Sequence, residues 1–504
     1  MPRPDVEIVD LRLTVTADRH VRLDSVFLNE TGRIDETHLQ DPLAQWTITT
    51  LIRWLQEKRL DKHDDIRLLG AHLHHALLGN NIGRILHEHR NKENEFLSIE
   101  LFFENSKDDM ADWPWEYLYC LPAGEAVGYY IANEAQFAIT RRPSGQPARP
   151  IQVKEKPVRA LFVAVSPCDL GPIDFNGLRT EIETLQWVDP REHEKGRRFE
   201  LLEPLLTEYV DEKDVPYRKE TGTLRSKATW EGFQQMLVDL ARADRSPHII
   251  HFVGHGKSEN GQGWVAFAED NCHSRWVSDG DLAGALQPYK TLKLVFLQAC
   301  ESALATPDVY APYQALSTVA RCLAGVAIPA VVAMQSKVDV ATANNFARTF
   351  YDSLVRMMPV YQAVQEGRRS ISKEEGALGI PVLYLLRYSN EVGVLFPVID
   401  QPAAPVGSIG TSSTAPGRIR CAWCGEGSTP GRKCSKCRSF LRCPKCGSSV
   451  QVEAGNRLDK DEWYECKNEN CDAAFKWDGT LEGQVAAPLA PDGFGERPSA
   501  GGKL

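Results

Sequence analysis

Four short apolar runs constrain this chain more than any other feature. They are "VRALFVAVSP" from Val158, "HIIHFVGHG" from His248, "LKLVFLQAC" from Leu292 and "IPAVVAM" from Ile328. Each is far shorter than the roughly 20 residues of a membrane span and is bounded by turn residues, so each reads as a buried strand. Helical stretches alternate with them: "GLRTEIETLQWV", "TWEGFQQMLVDLARA" behind a Thr229 cap, "YQALSTVARCLAG" ending at Gly325, "TANNFARTFYDSLVRMM" and "VYQAVQEGRRSISK". "GIPVLYLL" closes the set. Strands and helices alternating at this length predict an α/β domain over 158–398, a mainly parallel sheet flanked by helices. In such sheets ligands sit beyond the carboxyl ends of the strands.

Two of the runs end in chemistry. One stops at His255, between Gly254 and Gly256, and another stops at Cys300. A thiol becomes a strong nucleophile only as thiolate, which a nearby imidazole favours. Gly254 permits a tight turn, and Gly256 leaves its N–H unshielded. That N–H and the N–H of Cys300 are candidate donors to the oxyanion of a tetrahedral intermediate. A lone cysteine or histidine in a turn is most often structural, and it is the pair at two strand ends that favours catalysis. His248 and His251 lie before or inside their strand and read as core groups. Cys168 also follows a strand but has no histidine near it in sequence, while Cys120, Cys272 and Cys322 read as structural.

The first 145 residues form an α+β lobe. "VEIVDLRLTV" and "FLSIELFFE" are strand-like, with helices between them, and "RRPSGQPARPIQVKEKP" is a Pro-rich connection to the α/β domain. Three histidines in "HLHHALLGNN", His72, His74 and His75, share a helix, where histidines are usually solvated or packed. A formal net charge of −10 provides no global basic field to draw in nucleic acid or an anionic membrane. No signal-like or membrane-spanning run is seen, and the expected location is cytoplasmic.

Of the 13 cysteines, eight crowd between Cys421 and Cys471, which points to metal rather than disulfides. A Pro/Gly-rich linker over 399–418 precedes them, and a disordered tail is expected over 485–504. The pairs are Cys421/Cys424, Cys434/Cys437, Cys443/Cys446 and Cys466/Cys471. Two such turns make the tetrahedral thiolate shell of structural zinc. The module at 419–480 therefore resembles a double zinc ribbon with two structural Zn2+ ions. Sequential pairing is geometrically easiest, and interleaved pairing stays open. All-thiolate shells leave no position for catalysis. The first ribbon is basic, with Trp423 and Phe440 interleaved, as a nucleic-acid contact would need. The second, with "LDKDEWYE", is acidic and breaks any continuous basic face. Recognition of an activating or recruiting protein is therefore favoured over nucleic acid.

"HFVGHG" with "LVFLQACESA" resembles the CHAT domain, a caspase-like branch of the clan that includes caspases and separases. The resemblance extends to "WPWEYLY", "VRALFVAVSP" with "LRTEIETL", "IPAVVAMQSKVDVATANNFARTFYDSLV" and "YQAVQEGRRSI", covering roughly Leu69 to Val398. It implies a caspase-like α/β fold preceded by a pseudo-caspase-like lobe, with Cys300 as nucleophile and His255 as its base. It further implies a cysteine endopeptidase acting on protein substrates, in regulated proteolysis of defence or cell-death signalling. The chain departs from the family where Gln335 stands in place of a frequent Trp. Gln298 stands where relatives specific for Arg or Lys carry Asp. Gln298, Gln335 and Asp339 are the candidate substrate-binding residues, Asp339 also being a candidate helix cap. No basic specificity is assigned, and a neutral or apolar P1 residue is the expectation. Two other readings stand beside the peptidase: a non-catalytic scaffold or sensor, and a ribbon-based nucleic-acid binder carrying a vestigial domain.

Overall fold

The computed structural model describes residues 7–396 apart from a set of loop segments, the longest being 185–198, 208–227 and 300–314. Beyond residue 396 it describes only four short strands. The chain divides into two units, Met1–Ile399 and Asp400–Leu504.

The first unit opens with strands β1 (Glu7–Val15), β2 (Val21–Ser25) and β3 (Glu30–Asp35), then helices α1 (Pro42–Gln56), α2 (His63–Leu78) and α3 (Asn81–Arg90). Strand β4 (Glu95–Phe103), the small pair β5 (Tyr119–Cys120) and β6 (Tyr129–Tyr130), and β7 (Phe137–Arg142) complete the N-terminal half. The C-terminal half begins with β8 (Val158–Ala164), α4 (Asn176–Thr184), β9 (Phe199–Leu201), β10 (Leu205–Leu206) and α5 (Trp230–Arg242). Then come β11 (Ile249–Gly254), β12 (Gly256–Glu259), β13 (Gln262–Ala268), β14 (Ser274–Ser278), α6 (Asp279–Leu286) and β15 (Leu294–Ala299). It ends with α7 (Ala315–Gly325), β16 (Ala330–Met334), α8 (Val340–Val355), α9 (Val360–Ser370) and β17 (Pro381–Leu385).

One sheet runs through both halves in the order β10-β8-β11-β15-β16-β17-β7-β4-β1-β2-β3, with β9 also paired to β8. Only three of its junctions are antiparallel: β16/β17, β1/β2 and β2/β3. The mainly parallel α/β sheet read from the sequence is therefore present. The apolar runs are continuous because helices cover both faces. In β8, Ala160, Phe162 and Ala164 share a core with Leu178 of α4, Phe346 of α8 and Val364 of α9. The intervening Leu161 and Val163 share a core with Phe233 of α5, Leu282 of α6 and Val319 of α7. Each buried Leu, Val or Phe among them contributes about 1.5–3 kcal/mol, and the strands so anchored form the floor at their ends.

The halves meet at β17, antiparallel to β16 and parallel to β7. A charged cluster lies beneath this junction. Arg141 of β7 donates to Glu116 Oε1 at 3.0 Å and to the carbonyls of Ala111 and Trp113 at 3.0 and 2.9 Å. Arg368 of α9 donates to the carbonyl of Pro381 at 2.9 Å and to that of Ile139 at 3.3 Å. Burial lowers the Arg368 guanidinium to about 10, opposed by Glu116 and reinforced by Arg141. The "WPWEYLY" stretch docks here too: Tyr117 donates to the Gly376 carbonyl at 2.6 Å. A Cβ on Gly379 would come within 2.4 Å of the Tyr117 ring, so the close approach requires glycine.

In the second unit, β18 (Ile419–Arg420) pairs with β19 (Gly427–Ser428), and β20 (Trp463–Glu465) pairs with β21 (Ala474–Lys476). All eight cysteines expected to hold zinc, Cys421, Cys424, Cys434, Cys437, Cys443, Cys446, Cys466 and Cys471, lie outside the described residues.

Candidate active site

The site is set by the pairing of two neighbouring parallel strands. β11 and β15 run in register from Ile249↔Leu294 to Gly254↔Ala299. His255 is the next residue after Gly254, and Cys300 is the next after Ala299. Cys300 itself lies outside the described residues. Gly254 earns its place differently from the sequence expectation. It is not among the positive-φ glycines, so no left-handed turn demands it. A Cβ there would meet the buried Phe252 ring at 2.6 Å. The glycine is needed for space.

His255 is 7 % exposed. Its carbonyl accepts from Ala266 N–H at 2.9 Å, which ties the strand end to β13. In an antiparallel ladder successive residues point alternately toward and away from the partner. Gly256 therefore directs its N–H away from β13, and β12 is an edge strand of its small sheet, β12-β13-β14. That orientation suits an oxyanion donor.

The histidines inside the strand are core groups. His248 Nδ1 accepts from Arg159 N–H at 2.9 Å, and burial first, then Arg159 and Lys293, push it down to about 4. His251 is stacked on Phe296 at 4.3 Å between ring centroids, and burial pushes it down to about 3. It is therefore neutral, and its two nitrogens order a chain of hydrogen bonds. Gln298 Oε1 only accepts, so His251 Nε2–H donates to it at 3.2 Å. His251 Nδ1 then accepts from the Tyr351 hydroxyl at 3.2 Å. Gln298 Nε2 donates onward to Asn344 Oδ1 at 3.0 Å.

These bonds correct the expectation for Gln298, which is fully buried with both ends of its amide engaged. It holds the end of β15 rather than facing a substrate. Gln335 is corrected likewise. It is 1 % exposed and donates to Glu116 Oε2 at 2.9 Å and to the Gly379 carbonyl at 2.6 Å. It belongs to the junction cluster. Asp339 is the N-cap of α8, accepting from Thr342 N–H at 2.9 Å, and those bonds hold its carboxyl below the usual range against a burial effect that raises it. Asp339 is exposed.

Two other cysteines are placed away from nucleophilic use. Cys168 is disulfide-bonded, and Cys120 and Cys322 are the free cysteines among the described residues. Burial, then Asp279, push the Cys322 thiol up, away from thiolate. His74 is pushed down to about 4 by burial, then by His75, and packs against Gly83. Among the described residues no group of three or more His, Cys, Asp or Glu is placed to hold a metal, and no helix is long and apolar enough to cross a membrane.

The sequence reading missed Asn344 and Tyr351, which lie on α8, remote in sequence from His251. It also missed the β12-β13-β14 meander. The alternation in "GQGWVAFA" and "SRWVS" was the available signal.

No curated protein matches the chain. Among solved structures it is similar to a chain of the Saccharomyces cerevisiae separase–securin complex, with 11 % identity and a TM-score of 0.36, over 76 % of this chain and 30 % of that one. It is also similar to the Arg-specific cysteine proteinase gingipain R, with 9 % identity and a TM-score of 0.34, over 79 % of each chain. This chain thus spans less than a third of the length of the separase-complex chain. The CHAT domain model matches residues 67–387, from α2 through β17 and hence both strand ends described above. With more than half of its length matched, the chain belongs to the CHAT-domain family.

Proposed function

We propose that this protein is a cysteine endopeptidase that cleaves protein substrates at a limited number of sites. The observation that carries the reading is the parallel register ending at Gly254↔Ala299, after which His255 and Cys300 come next in sequence. In this mechanism His255 takes the Cys300 proton, and the thiolate attacks the scissile carbonyl. The Gly256 N–H, turned away from β13, and the Cys300 N–H hold the oxyanion. His255 returns the proton to the leaving amine, and water, activated by the same imidazole, releases the acyl group. The buried, neutral His251–Gln298–Asn344 chain keeps β15 in place while charge moves at its end.

The donor set of the second unit, eight thiolates in four short-spaced pairs, fits two structural zinc ions. Cys421, Cys424, Cys434 and Cys437 would hold one, and Cys443, Cys446, Cys466 and Cys471 the other. Bound zinc supplies folding energy to that unit and no chemistry to the cleavage. We assign the unit to recognition of an activating or recruiting protein, and the setting to regulated proteolysis in the cytoplasm.

The test is cleavage of a proteome-derived peptide library by the full chain, beside Cys300→Ala and His255→Ala. Cleavage lost in both variants, with unchanged melting temperatures, is the expected result. Cleavage retained by Cys300→Ala would overturn the assignment.

A further inference from the structure

The meander that follows His255 has two unlike faces. Val265, Phe267 and Val277 point into the core and are buried. The residues that alternate with them are Lys257, Trp264 and Trp276, with Glu259 near the hairpin tip. Register sets Lys257 opposite Trp264, and Trp276 opposite Ala266 one step further along the same face. The Lys257 ammonium lies 4.8 Å from the Trp276 ring centroid and 5.7 Å from that of Trp264. Both indoles are half-buried. Two aromatic faces thus flank one cation, an arrangement that orients the ammonium while part of it stays open. The Lys257 side chain is 31 % exposed.

A second observation points to a ligand. Trp264 Nε1 is buried and has no hydrogen-bond acceptor among the described residues. A buried N–H left without an acceptor is costly, and the cost disappears when an incoming group supplies one. The accessible donor of this patch is the Lys257 ammonium, and the Trp264 N–H adds a second that a ligand reaches only when the indole shifts. The complementary ligand carries a carboxylate next to apolar surface. Glu259, with its side chain 63 % exposed, already stands 3.5 Å from Lys257 Nζ and marks how a carboxylate is held there.

Lys257 is two residues beyond His255, so along the strand the two lie within about 7 Å of each other. We propose that the Lys257/Trp264/Trp276 face is an accessory substrate site, which selects protein segments bearing an Asp or Glu side chain near the scissile bond. Glu259 occupies the ammonium until such a segment displaces it. The inference rests on the peptidase reading of His255 and Cys300, which makes this face the neighbour of the scissile bond.

The experiment uses the full chain carrying Cys300→Ala, so that binding is read without turnover. Fluorescent short peptides with Asp, Lys or Ala placed at each position in turn are titrated by anisotropy. Expected is a preference of about tenfold for Asp over Lys at one position. Adding Lys257→Glu should invert that preference, and Glu259→Gln should tighten acidic peptides a few-fold by removing the competitor. Trp264→Phe keeps an aromatic face while removing the N–H, and should weaken acidic peptides alone. Lys257→Gln, a milder change, should abolish the preference without inverting it, which guards against a folding artefact. An acidic preference unchanged in Lys257→Glu, or absent at every position, overturns the proposal. The two readings fail separately. If the wild-type thiol cuts nothing while Lys257-dependent binding persists, the peptidase assignment falls and the binding face stands. If peptides are cut with equal efficiency by wild type and Lys257→Glu, the face falls and the peptidase stands.

Discussion

Two of the buried polar networks among the described residues of the first unit solve different problems. Beneath the candidate active site the chain Tyr351–His251–Gln298–Asn344 is neutral, with one donor matched to one acceptor at each link. Beneath the junction of the halves the cluster is ionic: Glu116 faces Arg141 and Arg368, with Gln335 filling the remaining bond. A neutral chain keeps its members oriented without placing a net charge under the end of β15. An ionic cluster binds distant segments firmly, at the cost of fragility, because removing one partner strands the others. Glu116 and Gln335 are 219 residues apart, and this cluster ties them across the junction.

The difference can be broken most sharply at Glu116. Glu116→Ala leaves two buried guanidinium groups without their carboxylate and should cost about 3–5 kcal/mol. Chemical denaturation measures it, and a loss below about 1 kcal/mol would deny the cluster its role as the bond between the halves. The buried histidines should respond to acid instead. His251 and His248 are held at about 3 and about 4, below the ordinary 6.5 of an unfolded histidine. The unfolded chain therefore binds protons first, so their contribution to stability is complete above about pH 6.5 and is lost as pH falls toward 4 and 3. Equilibrium unfolding across that window checks the sign, and in His251→Phe the slope should be shallower. Gln298→Leu keeps the volume but leaves His251 Nε2–H and Asn344 without partners, an expected loss of about 1–3 kcal/mol. If Gln298 positions β15, cleavage should fall by more in kcat than in KM. At the exposed end of the scale, Asp339→Ala removes a helix cap and should cost about 1 kcal/mol with no change in specificity. A changed specificity would return Asp339 to the substrate rim.

The sheet was legible because its signal is local. An apolar run in β8 or β16 announces a strand buried on both faces whatever it pairs with, and the glycines around His255 mark the strand's end within a few residues. The glutamines were not legible in the same way. Gln298 and Gln335 stand at positions next to a cleft in sequence, yet where an amide turns is decided by partners far along the chain. Asn344 is 46 residues from Gln298, and Glu116 belongs to the other half. The meander escaped because Trp264 and Trp276 look like core aromatics, while their opposite strand neighbours, Val265 and Val277, are the ones that enter the core.

The place of β17 carries a consequence for how the molecule comes into being. It sits between β16 and β7, in the middle of the sheet, yet it is the last of the sheet's strands to leave the ribosome. Without β17, β16 and β7 each present a bare edge at the position it fills. Pairings this distant in sequence form slowly. The topology therefore predicts a folding stage in which the β11 strand is made but the halves are not yet joined. A chaperone that shields strand edges has its clearest target in that interval.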